Sequence, residues 1–137
     1  MPFTPFHWGF ALLCWSLFII LDPFSLFVAS VIPDIEGIIA IFILPQMHLP
    51  LHGPLHSYTL AIVLGVLTGI SSFVFWRILG KKYFFTHAYS IKVSIASGLI
   101  GTISHITLDA FIYPEMSLFW PQQGNFLYGK IGYFETY

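Results

Sequence analysis

The chain has 137 residues and a formal charge of −1; 57% of its residues are hydrophobic, 19% are aromatic and only 8% are charged. With a mean hydropathy of +0.83, this composition lies outside ordinary soluble domains and inside the membrane class, and the length gives one domain, 1–137. Five basic residues against six acids leave no basic stripe to neutralise phosphates, which excludes a nucleic-acid partner, and the lone Cys14 excludes an internal disulfide.

Four apolar segments follow in chain order. Residues 6–21 are short for a crossing, since about 20 residues span the hydrocarbon core. They lack the basic start and small-residue cleavage pattern of a signal peptide, so a retained first helix is expected. Residues 24–44 form a second segment, broken near its middle at Pro33-Asp34. Proline removes a backbone donor and disfavours a helical residue before it. Asp34 is placed either to cap the half-helix that starts at Ile35 or to face a polar site. Residues 57–79 form the cleanest span, with no carboxylate. Residues 90–113 form the fourth, in which Ser97, Gly98 and Gly101 let a neighbouring helix come close. The tail, 114–137, is rich in aromatics, Pro and Gly and reads as an interfacial lid with Trp120 at headgroup level. The expected fold is an all-α integral membrane bundle of about four transmembrane or re-entrant helices with an interfacial C-terminal tail.

Arg77, Lys81, Lys82 and Lys92 lie in or beside the connection between the third and fourth segments. The positive-inside rule puts that connection in the cytoplasm of a cell membrane. His7, His52, His56, His105 and Asp109 then gather at the opposite, extracytoplasmic face. Asp34 and Glu36 join them if the second segment bends inward at Pro33. Ionisable groups at membrane depth usually mark a site, and histidine with carboxylate is a metal-ligand set. His105 and Asp109, four apart on a helix, share one face. His52 and His56 flank Gly53-Pro54, a loop feeding the third helix with proline in its first turn. The free amides there suit an anion such as phosphate, while Ser57 either caps the helix or binds that anion. His48 and His87 fall in connections and read as solvated. Glu115 reads as a base, a further ligand or a solvated helix-end charge.

The ordered series Thr4-Pro5-Phe6-His7, Ile32-Pro33-Asp34-Ile35-Glu36, His52-Gly53-Pro54-Leu55-His56-Ser57, His105, Leu108-Asp109-Ala110-Phe111 and Tyr113-Pro114-Glu115-Met116 covers nearly the whole chain. It resembles the small membrane-bound metal-dependent hydrolase family, in particular its archaeal branch, which is distantly similar to zinc-dependent phospholipase C. The resemblance implies one or two zinc or other divalent first-row ions, with His7, Asp34, Glu36, His52, His56, His105 and Asp109 as candidate ligands. It departs from the bacterial members at Gly53, where they carry arginine, and in having one residue fewer between the paired histidines.

The function expected from these readings is metal-dependent hydrolysis of a phosphoester, lipid or lipid-linked, with membrane lipids as partners and Glu36 or Glu115 taking the proton. Two other classes fit part of the pattern: a haem-binding electron-transfer subunit, with two histidines as axial ligands, and a non-catalytic structural or proton-conducting subunit, which would use the His/Asp pairs as a relay. Oligomerisation is compatible with each.

Overall fold

The computed structural model describes residues 5–47, 50–79 and 89–130. Thr4, His48, Lys81, Lys82, His87 and the end of the tail lie outside the described residues. Helix α1 (Pro5–Leu17) is followed by α2 (Pro23–Ala29), α3 (Ile35–Ile38), α4 (Tyr58–Leu79) and α5 (Ile91–Ala110). A 3₁₀ turn (Ile32–Asp34) and a π turn (Ile39–Ile43) join and extend α2 and α3. Pro23–Ile43 is therefore one bent apolar run of 21 residues. It, α4 and α5 are long and apolar enough to cross a membrane. The fold is all-helical, as expected.

Helix α1, 13 residues long, reaches about 20 Å at 1.5 Å per residue and falls short of the hydrocarbon thickness of about 30 Å. It stops earlier than the apolar stretch does, because residues 18–21 turn to deliver Asp22, whose side chain accepts from Ser25 N at 3.2 Å and caps α2. Pro23 follows at the first helical position, where its missing N–H costs nothing. The break at Pro33 is present. Asp34 itself has helical backbone angles and makes no capping bond, so its carboxylate is released toward the bundle.

Helices α4 and α5 run antiparallel at very close range. A Cβ at Gly98 would run into the Gly65 carbonyl, and one at Gly69 into the Ile95 backbone. Gly101 faces α2 instead, where a Cβ would lie 2.7 Å from Leu26 O and from Ala29 Cβ. Small residues thus let three backbones meet where bulky ones would hold them apart. Thr102 Oγ1 donates to Ala61 O across the α4–α5 seam at 2.9 Å.

The tail folds back over this seam. Met116 and Leu118 are buried with Ala61, Ile106 and Ala110, and the Leu118 carbonyl accepts from Tyr58 N at 2.8 Å. Asn125 Nδ2 donates to the carbonyls of Ala110 and Tyr113, both at 2.7 Å, which satisfies the C-terminal end of α5. Phe119, Trp120, Phe126 and Tyr128 stay exposed. So do Leu12, Leu13 and Leu17 on α1 and Ile35, Ile38, Ile41 and Phe42 on the bent run, the pattern of a surface solvated by lipid.

Candidate metal centre

Because α4 and α5 are antiparallel, the start of α4 and the last turns of α5 share one end of the bundle. The 3₁₀ turn Pro54–His56 delivers His56 there, and His105 and Asp109 descend one face of α5. The break at Pro33 turns Asp34 into the same space. One donor atom from each of Asp34, His56, His105 and Asp109 lies within 4.8 Å of all the others. His105 Nε2 is 3.3 Å from Asp109 Oδ2 and 3.6 Å from Asp34 Oδ1; His56 Nε2 is 3.8 Å from Asp34 Oδ1 and 4.0 Å from Asp109 Oδ2. A tetrahedron with bonds of about 2.0–2.1 Å has edges of about 3.4 Å, so these pairs stand at or slightly beyond the spacing of ligands sharing one ion.

The histidine tautomers are set from behind. His105 Nδ1 is 2.7 Å from the Ser30 carbonyl, which only accepts, so Nδ1 carries the proton. His56 Nδ1 is 3.2 Å from Glu36 Oε2. Both Nε2 atoms are buried without a hydrogen-bond partner among the described residues. A buried polar nitrogen without a hydrogen bond costs about 1–3 kcal/mol, and both of these face the Asp34 and Asp109 carboxylates at 3.3–4.0 Å. The donor set fits a divalent ion, and the group could hold one.

The other expected site residues surround this group. His7 stacks on His105 with centroids 3.9 Å apart and places Nε2 3.4 Å from Asp109 Oδ1. Its Nδ1 is also buried and unpartnered. Glu36 lies one layer behind His56, bonded to His56 Nδ1 and to Leu55 N at 3.1 Å. His52 bonds Glu115 through Nδ1 at 3.0 Å, stacks on Tyr113 and meets His56 edge-on. Glu115 is about half exposed.

Ser57 caps α4, accepting from Leu60 N at 3.3 Å and donating to Pro54 O at 2.7 Å. At this end of α4, Tyr58 N donates to Leu118 O. Two of the amides at this helix start, Tyr58 N and Leu60 N, are thus already bonded, the first by an acceptor from the tail that the sequence pattern of α4 does not reveal. Met116 is buried in the core.

The carboxylates govern the charge of the loop. Burial works against a charged His56, but Asp34, Glu36 and Asp109 outweigh it and push the imidazole up to about 9. His52 is moved the other way, by burial and then by the charge of His56, against the pull of Glu115. Burial, then Asp109, Glu115 and Asp34, push the Tyr113 phenol up to about 12.

A second buried polar group surrounds Asp22. Its carboxylate accepts from Ser72 Oγ at 2.5 Å, Ser94 Oγ at 2.6 Å and Trp76 Nε1 at 3.0 Å, and its backbone N–H donates to Ser97 Oγ at 2.8 Å. From Ser94 to His105 along α5 is about 16 Å, so this group belongs to the other end of the bundle. The serines recurring on one face of α5 were the available signal.

Comparison with protein-family models, with curated proteins and with solved structures finds no match to this chain.

Proposed function

We propose that the protein is a membrane-embedded metal-dependent hydrolase acting on a phosphoester, lipid or lipid-linked, with zinc or another divalent first-row ion held by Asp34, His56, His105 and Asp109. The observation that carries this reading is the convergence of one donor atom from each of Asp34, His56, His105 and Asp109 within 4.8 Å, with both histidine Nε2 atoms buried and without a hydrogen bond among the described residues. Mixed imidazole and carboxylate ligation suits zinc. Bound there, such an ion would supply Lewis acidity for water activation and phosphoryl polarisation.

The chain's own groups supply the rest. Ser30 O keeps His105 in the donating tautomer, and His7 holds the Asp109 oxygen turned away from His105. A proton taken up at His52 Nε2 would be matched by transfer of its Nδ1 proton to Glu115 Oε1, 3.0 Å away, whose half-exposed carboxyl would release it to water. Asp34 is the least buried of the four donors, and exposed Ile35 and Ile38 adjoin it. An amphiphile arriving from the bilayer would reach the centre on that side. The haem reading loses support, because two carboxylates stand between the His56 and His105 nitrogens, whose rings are only 5.4 Å apart.

Elemental analysis of detergent-purified protein tests the reading. Wild type should carry at least one equivalent of a first-row metal, His56→Ala and Asp109→Ala should lose it, and His52→Ala should retain it while losing phospholipid headgroup release. Folded wild type that takes up no metal even from added zinc would overturn the reading and return the proton-relay alternative.

A further inference from the structure

We propose that Glu36 is the positioning residue of this centre: seated in the notch that Gly53 leaves, its carboxylate fixes the His56 ring with Nε2 turned toward Asp34, His105 and Asp109. The inference rests on the reading of that group as a metal centre and assigns Glu36 a role other than ligand or base.

Three observations carry it. Glu36 Oε2 accepts two N–H groups at once, from Leu55 N at 3.1 Å and from His56 Nδ1 at 3.2 Å. Both donors belong to the 3₁₀ turn that presents His56, so one carboxylate fixes the backbone of the turn and the rotation of the ring together. The other oxygen, Oε1, lies where residue 53 has no side chain: a Cβ there would stand 2.5 Å from Oε1 and 3.2 Å from Pro50 Cγ. To ligate an ion, Glu36 would have to abandon the Leu55 amide and the His56 Nδ1–H. To act as base it would need an oxygen free of those bonds and of the Gly53 wall. A carboxylate bonded behind a ligating imidazole fixes the ring and raises its basicity. The missing side chain at Gly53 is thus what lets the Glu36 carboxylate sit in this position.

The test is zinc affinity, measured by chelator competition in detergent, for wild type, Glu36→Ala, Glu36→Gln, Gly53→Ala and the double variant Glu36→Ala/Gly53→Ala. Glu36→Ala should weaken binding by about 10- to 100-fold. Glu36→Gln, which keeps an oxygen for both N–H groups, should recover most of it. Gly53→Ala should also weaken binding, but should change nothing further when Glu36 is already alanine, because its effect acts through that carboxylate. The absorption bands of the cobalt-loaded protein should move in Glu36→Ala and remain as wild type in Glu36→Gln. Wild-type affinity in Glu36→Ala, or additive losses in the double variant, would overturn the proposal while leaving the metal centre standing. No metal on the folded wild type would overturn both.

Discussion

His56 lies among Glu36, Asp34 and Asp109 at 3.2, 3.8 and 4.0 Å, carboxylates that favour its protonated form. Its folded value near 9 lies above the ordinary 6.5. The stabilisation this proton provides is therefore complete below pH 6.5 and is lost as pH rises through about 9. Metal-free protein should melt at a lower temperature at pH 9.5 than at pH 6.5. On the proposed ligation by His56, metal binding would expel the same proton, so zinc affinity should rise with pH by up to about tenfold per unit below pH 9. Chelator competition at pH 6.5, 7.5 and 8.5 checks this; a flat profile would show that His56 binds no proton there. At this scale residue type was informative and role was not. Seven candidate ligands could be named from the sequence because carboxylates and histidines are rare in apolar runs. That Glu36 faces the rear of His56, and that a backbone carbonyl at Ser30 fixes His105, depends on side-chain direction and on a main-chain atom, which residue types do not encode.

Helix boundaries follow from local chemistry where the sequence offers a single partner. Asp22-Pro23 starts α2 because the carboxylate finds the Ser25 amide and proline gives up no bond. Asp34-Ile35 offers the same residue type ahead of a helix, yet the preceding 3₁₀ turn already holds Asp34 in helical angles, and a capping residue needs extended ones. Asp22 also ties α2 to α4 and α5 through Ser72, Trp76 and Ser94. Removing it leaves buried donors unpaired, so Asp22→Ala should cost at least about 3 kcal/mol, and Asp22→Asn less. Chemical unfolding in detergent followed by circular dichroism measures the loss. The metal content of the folded fraction should be unchanged, because the centre lies at the other end of α5.

Across the whole molecule, the two polar groups mark opposite ends of one antiparallel helix pair. Arg77 and Lys92 flank the Asp22 end, so we propose, by the positive-inside rule, that this end is cytoplasmic and the His/Asp group faces outward. In a Cys14→Ser background, an impermeant thiol reagent on intact cells should label Gln123→Cys and spare Ser90→Cys. The reverse pattern would place the centre on the cytoplasmic face. The sequence by itself determined that the chain is helical and apolar enough for a membrane, where its second span breaks and which residue types gather at one end, because composition, proline and charge act locally or through the bilayer. Only the tertiary structure decided which four donors share one space, which groups stand behind them, and that the tail bonds the Tyr58 amide at the start of α4. Those outcomes depend on how closely Gly65, Gly69, Gly98 and Gly101 let three helices approach, a distance fixed between elements far apart in the chain.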